Sequence, residues 1–383
     1  MGELIVNARV FDGEQMVDAA GVLLAEGRVQ GVLSADKLPE DCPRFDLAGG
    51  TLLPGFVDLQ VNGGGGVQFN DAPTVESLAT IAAAHRRFGT TGFLPTLISD
   101  SYAKMREAAA AVDAAIAADI PGVLGIHFEG PFLNPGRCGI HDRGHLRPPD
   151  EEGLSILCAP RRGVTLVTLA PEVCDAQVIS RLHRAGVIVA AGHTEASYEQ
   201  AQAAMDAGLR GFTHLYNAMS PLASRAPGAV GAALGDDRAW FGIIADGHHS
   251  HPAALRVALR AKPPGGALLV TDAMATVGAE NKRFTWNGEQ IEARGGCLRT
   301  AAGTLAGSDL DMLSAVDNAA RFADIDWFEA ARMASLYPAT ALGLEAELGC
   351  IRPGARACLL ALDDARRPLR VWVDGRGYTP SRA

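Results

Sequence analysis

The sequence predicts an α/β chain: a TIM-like (β/α)8 barrel carrying a small β-sandwich built from both chain termini. Eight apolar runs of strand length recur through the middle of the chain, most of them followed by a helical pattern. Eight such alternations favour a closed barrel over an open doubly wound sheet. Four of the runs end on a residue that can bind or assist a metal ion, in Ile126-His127-Phe128-Glu129, Ala190-Ala191-Gly192-His193, Gly211-Phe212-Thr213-His214 and Leu269-Val270-Thr271-Asp272. Both ends of the chain read instead as short strands split by turn signals.

In order, the first fifty residues give strands at 3–10, 21–25, 28–33 and 44–47, separated by Asp12-Gly13, Glu26-Gly27 and Gly49-Gly50. The barrel runs are 51–61, 91–98, 123–128, 164–169, 187–191, 211–215, 240–245 and 267–270. Helical patterns follow at 75–88, 102–118, 176–185 and 198–207. Two rim segments, 132–163 and 219–237, are long enough to be lids or binding loops. Strands return at 357–362 and 369–373, ending at Asp374-Gly375. The expected domains are therefore 1–52 and 343–383 for the sandwich and 53–342 for the barrel; no internal repeat is evident.

Composition narrows the function classes. A net charge of −10 argues against nucleic acid or an anionic membrane as a main partner, while leaving room for a small anionic substrate held by local basic groups. The seven cysteines are scattered, odd in number and without a CxxC pair, a reducing-compartment pattern. The amino terminus lacks a signal-peptide pattern. No uninterrupted apolar run reaches the ~20 residues that span a bilayer. A cytoplasmic protein is expected.

In a β/α barrel the carboxyl ends of the strands share one rim, where reactive side chains converge. A Glu, two His and an Asp there suit a hydrolytic metal: three ligands, an open position for water, and a carboxylate to move protons. Glu129 and His127 alternate onto one side of their strand. His127 lies a layer deeper, as a satisfied core histidine or a support behind the ligands. A carboxylate inside a barrel is costly unless paired or metal-bound, so the alternative for Glu129 is a structural ion pair. With His193 and His214 it forms a donor set suited to zinc, and iron or another divalent ion also fits. Asp272 ends the eighth run, where it can take a proton from water and deliver it to a leaving group; the alternative is a cap on the following turn. Asp58, Gln60 and Asn62 share one face of the first barrel strand. Metal-dependent amidohydrolases commonly carry His-x-His at the last two of these places. Gln and Asn are poor zinc ligands, so one tightly held ion is expected. The triplet His248, His249 and His251 offers a second metal site as a weaker alternative, and His85 and His183 sit in helical patterns as surface or core histidines.

The motifs Pro54-Gly55-Phe56-Val57-Asp58, Val61-Asn62-Gly63-Gly64-Gly65-Gly66, His127-Phe128-Glu129-Gly130-Pro131, Leu169-Ala170-Pro171-Glu172, Ala191-Gly192-His193-Thr194, His214-Leu215-Tyr216-Asn217-Ala218-Met219, Ile244-Ala245-Asp246-Gly247-His248-His249 and Thr271-Asp272-Ala273 span nearly the whole barrel. In them the chain resembles the N-acetylglucosamine-6-phosphate deacetylase family of the metal-dependent amidohydrolase superfamily. The resemblance implies hydrolysis of the acetamide of N-acetylglucosamine 6-phosphate to glucosamine 6-phosphate and acetate, in amino-sugar catabolism and recycling. It implies Glu129, His193 and His214 as ligands of one divalent ion, Asp272 as the catalytic carboxylate, and His141 as a lid histidine beside the acetamide carbonyl. Asn217, the Ala218 backbone, Arg225 and His249 match sugar-phosphate contacts, and Gln60 matches a position near the metal-bound water. It gives Cys138, in the same lid, no role, and it implies a homodimer; whether the partner subunit contributes to the phosphate pocket is left open by the sequence. The rival readings are another amidohydrolase activity (a deaminase, a cyclic amidase or a deacetylase of a related sugar phosphate) and a noncatalytic barrel scaffold.

Overall fold

The computed structural model describes residues 2–380. Eight parallel strands follow one another around a single sheet in chain order: β1 (Phe56–Val61), β2 (Thr90–Ile98), β3 (Gly125–Glu129), β4 (Val164–Leu169), β5 (Ile188–Ala191), β6 (Gly211–Phe212), β7 (Trp240–Ile243) and β8 (Ala267–Leu269). The seam closes just beyond β8, where the Asp272 amide donates to Gln60 O at 3.0 Å and the Asn62 amide to Ala273 O at 2.9 Å. Asp58 braces it from β1: its Oδ2 accepts from the Thr271 hydroxyl at 2.5 Å and its Oδ1 from the Gln60 and Thr271 amides at 3.1 and 3.3 Å. Burial pushes this carboxyl up to about 7.

The helices start where the sequence supplies caps. Helices α1 (Val75–Arg86), α2 (Tyr102–Ala117), α3 (Glu151–Leu157), α4 (Ala176–Arg184) and α5 (Tyr198–Asp206) begin after Thr74, Ser101, Asp150, Asp175 and Ser197. Each of these side chains accepts a hydrogen bond from an amide of the first turn. Ser197 and Gln200 complete a reciprocal capping box.

Beside the barrel lie a four-stranded sheet, in the order 28–33, 21–25, 3–6, 44–46, and a six-stranded one, in the order 376–378, 368–373, 359–362, 51–54, 9–11, 16–17. Ile5, Val22, Val29, Leu52, Leu359 and Trp372 fill the core shared by the two. Both chain ends thus build one sandwich. The run 51–61 is in fact two strands. Thr51–Pro54 pairs antiparallel with Leu359–Leu362, and after Gly55 the chain enters the barrel. Gly55 is required by close approach, since a Cβ there would stand 2.1 Å from Thr91 Cγ2. The run 3–10 also divides, because Asn7 takes a left-handed turn (φ +53°) and sends Glu3–Val6 and Arg9–Phe11 into different sheets.

One element was not expected. Strands β9 (Arg283–Trp286), β10 (Glu289–Arg294), β11 (Cys297–Arg299) and β12 (Leu305–Ser308) form an antiparallel flap between β8 and the helix Met312–Ala323. The pairs Asn287-Gly288 and Gly295-Gly296 make two-residue turns with positive φ throughout (+47°, +78°; +58°, +79°), the geometry that suits the twist of a hairpin. Ile291, Leu298, Ala306 and Met274 form its small core, against which Ile140 packs from the rim segment 132–163.

Candidate active site

The strand ends deliver their polar residues to one place. His193, His214 and Asp272 all have left-handed backbones (φ +49°, +34° and +52°). That conformation is uncommon for a residue with a side chain and costs roughly 1–3 kcal/mol. Three such residues at three strand ends, all on one site, mark a place where geometry outweighs local stability. Glu129 ends β3 and is 2 % exposed; its Oε1 lies 3.1 Å from His193 Nε2 and 2.9 Å from His214 Nε2, and the two Nε2 atoms are 3.1 Å apart.

These three residues fit a divalent cation. His193 Nδ1 donates to the carbonyl of Arg137 at 2.7 Å, so neutral His193 turns a bare Nε2 lone pair toward the carboxylate. A lone pair facing a carboxylate oxygen is repulsive unless a cation lies between them. Donor atoms around a tetrahedral ion with bonds of about 2.0–2.1 Å stand about 3.3 Å apart, close to the spacing seen. Glu129, His193 and His214 are the group able to hold a metal ion among the described residues. Burial opposes charge on Glu129, but its close approach to the two imidazoles holds its carboxyl well below the usual range.

Gln60 and Asn62 do other work. The Gln60 amide donates to both oxygens of Glu129 (3.3 and 3.2 Å) and to Asp272 Oδ1 (3.1 Å), and Asn62 Nδ2 donates to the same Asp272 oxygen at 2.6 Å. N–H donors therefore point where a second cation would need acceptors. Burial, and then the negative charge of Glu129, push the Asp272 carboxyl up to about 6. His127 takes no part in the cluster. Its Nε2 meets the Thr168 hydroxyl at 2.8 Å and its Nδ1 lies 3.1 Å from Leu59 O, as a satisfied residue one layer down.

His141 is a buried residue in an otherwise largely exposed loop. The Ser99 amide, which can only donate, points at its Nδ1 from 3.2 Å, with the Ser99 hydroxyl 2.8 Å from the same atom. Nδ1 is thus the acceptor and the proton sits on Nε2. Burial pushes the ring down to about 3, so it stays neutral. His193 lies beside it, with ring centroids 4.4 Å apart.

A cavity of about 330 Å³ opens over this cluster. Glu129, His141, His193, His214 and Asp272 line it, together with Asn217, Ala218 and His249. His249 is oriented by Asp246, 2.6 Å from its Nδ1. His248 and His251 are taken up elsewhere: His248 Nε2 lies 3.2 Å from Gly295 O in the flap, and His251 caps the helix Pro252–Ala261. Arg225 does not line the cavity; it lies in an exposed stretch, 221–226. Cys138 accepts a hydrogen bond from Arg143 at 3.3 Å.

Residues 51–377 match the amidohydrolase family, and residues 4–52 match the NagA composite domain. The chain belongs to the amidohydrolase family. It is 42 % identical over 371 residues to the N-acetylgalactosamine-6-phosphate deacetylase of Shewanella sp. (strain ANA-3), covering 96 % of this chain and 94 % of the relative. The crystal structure of N-acetylglucosamine-6-phosphate deacetylase from Pasteurella multocida superposes with a TM-score of 0.95 at 34 % identity, covering 99 % of this chain and 100 % of that one. A mutant of the enzyme of that name from Mycobacterium smegmatis, in complex with N-acetyl-D-glucosamine-6-phosphate, gives a TM-score of 0.88 at 33 % identity over 98 % of both chains. Within the amidohydrolase family, then, this chain is an amide hydrolase of the amino-sugar deacetylase branch.

Arg299, Thr304, Leu305 and Gly307, all from β11, β12 and their connection, also line the cavity, and they are not among the residues that the strand-end pattern singles out. A signal was present. Asn287-Gly288 between residues of alternating character is a strong short-range hairpin mark. Arg299 is the arginine that lines the cavity, and its Nη1 donates to Gly303 O at 2.7 Å.

Proposed function

We propose that this protein hydrolyses the acetamide of N-acetylglucosamine 6-phosphate to glucosamine 6-phosphate and acetate. One observation carries the reading: a Glu–His–His cluster shares one cavity with a buried carboxylate and a neutral imidazole, in a chain aligned over nearly its whole length with a sugar-phosphate deacetylase. A specific observation also favours the galacto epimer as a second substrate, since the relative at 42 % identity is named for it.

Glu129, His193 and His214 would hold one divalent ion, zinc being the best match to a carboxylate and two imidazoles. Such an ion, when bound, supplies a water of lowered pKa and polarises the amide carbonyl. Asp272 accepts the proton of the attacking water. Both amide donors, Gln60 and Asn62, converge on its Oδ1, which leaves Oδ2 to take that proton. The His141 Nε2–H donates to the carbonyl oxygen as negative charge builds there. Asp272 then passes its proton to the amine nitrogen as the carbon–nitrogen bond breaks. Asn217, the Ala218 backbone and His249 bind the sugar phosphate in the same cavity.

Arg225 completes the phosphate site from a second copy of the chain. Its exposure, in a stretch that also shows Leu222 at 55 % exposure, supports a homodimer in which this loop reaches the neighbouring cavity. No helix among the described residues is long and apolar enough to cross a membrane. With free cysteines throughout, we place the enzyme in the cytoplasm. The test is acetate release from N-acetylglucosamine 6-phosphate, its galacto epimer and both unphosphorylated sugars. Turnover of either phosphate, with much weaker turnover of the free sugars, is expected. Equal turnover with and without phosphate would overturn the reading.

A further inference from the structure

The loop that carries His141 is largely exposed. Pro135, Gly136, Gly139, Asp142, Arg143 and Gly144 are exposed, and buried His141 stands among them. Its ring is fixed from β2 by Ser99. Its backbone is also held from elsewhere. Trp286, the last residue of β9 in the flap, donates its indole N–H to the carbonyl of Ile140 at 3.1 Å. Ile140 and Trp286 both pack on the flap core of Ile291, Leu298, Ala306 and Met274, and Ile140 and Met274 themselves line the cavity. The peptide bond that begins with this carbonyl is the one that leads into His141.

We propose that Trp286 is a positioning residue for the hydrolysis: by gripping the Ile140 carbonyl it sets where the His141 Nε2–H lies relative to the developing oxyanion. The proposal rests on the role given to His141 above. The physical reason is leverage. An oxyanion donor works only within a few tenths of an ångström of its acceptor, and a loop with exposed neighbours drifts by more than that unless held. Ser99 holds the ring, and the His141 amide donates within the loop to Cys138 O at 3.0 Å; the Trp286 indole adds the hold from the flap, on the carbonyl next to His141. The flap therefore does more than wall the cavity.

The experiment is a double-mutant cycle on the metal-loaded enzyme. Trp286→Phe keeps an aromatic ring in the flap core and deletes the donor. It should lower kcat about three- to tenfold, the size of one lost hydrogen bond, with KM within about twofold and metal content unchanged. In a His141→Asn background the same substitution should cost nothing further, because there is no imidazole left to place. An unaltered kcat in Trp286→Phe overturns the proposal, as does an equal fractional loss in both backgrounds. Should the Phe variant fold poorly, a benzothienyl-alanine at 286 replaces the N–H by sulfur with the ring shape kept, and the same outcomes apply. A His141→Asn enzyme with wild-type kcat would remove the role of His141 itself, and the proposal with it. A crippled His141→Asn beside an unaffected Trp286 variant removes the proposal alone.

Discussion

At the scale of single residues, protons are placed by hydrogen bonds to groups that cannot change role. The Arg137 carbonyl can only accept, so His193 keeps its proton on Nδ1 and offers Nε2 to the cluster. The Ser99 amide can only donate, so His141 keeps its proton on Nε2. Asp272 is governed the same way, with two amide donors on Oδ1. An Asn at 272 can still accept from both amides through its oxygen, but it presents an NH2 group where Oδ2 stood. Asp272→Asn should therefore retain metal and substrate binding while kcat falls about 10²–10⁴-fold. Calorimetric binding together with kcat checks this, and a near-normal kcat would remove Asp272 as the base. Glu129, His193, His214 and Asp272 were legible in the sequence because each closes an apolar run. Arg299 was not, because a charged residue in a short strand carries no mark of the cavity it borders.

At the scale of elements, helix α1 is tied to the rim by a single histidine. His85 is fully buried, and its Nε2 lies 2.8 Å from Gly63 O in the short hairpin strand, Gly63–Gly64, that follows β1. Gly64 allows the approach, since a Cβ there would stand 2.9 Å from the imidazole. Burial pushes His85 down to about 4 from an ordinary 6.5, so the folded state resists a proton that the unfolded chain accepts. Stability from this group is complete above about pH 6.5 and is lost as the pH falls from there toward 4, by about 3 kcal/mol. Urea unfolding of wild type and His85→Gln across that range should show the steeper acid loss in wild type; parallel profiles would contradict it. Most barrel strands, and helices such as α5, were readable from periodicity and turn residues. Two strands were misjudged for one reason. Asn7 and Gly55 redirect the chain within continuous apolar runs, and a run records burial without recording which sheet supplies it.

At the scale of the whole molecule, Arg225 does not line the cavity of its own chain and lies exposed on the outside. If a second copy donates Arg225, two defective enzymes should repair one another. Asp272→Asn alone and Arg225→Ala alone would each have little activity on the phosphorylated substrate. Unfolded, mixed in equal amounts and refolded together, they should recover about a quarter of wild-type activity, because half the dimers are mixed and each mixed dimer holds one complete site. Recovery no greater than the sum of the separate variants would place Arg225 outside the neighbour's site.

The sequence by itself determined the barrel, the sandwich of both termini and the rim on which the chemistry sits. Strand period and turn residues are local, and a polar residue that closes a buried strand has few other uses. Only the tertiary structure decided which lone pairs face one another, that Gln60 and Asn62 act as donors to the carboxylates, and that the 283–308 flap covers the cavity and grips the His141 loop. Those are contacts between residues far apart in the chain. They depend on closure of the seam between β8 and β1 and on packing of the flap against a loop some 140 residues earlier. Local pattern carries no information about either.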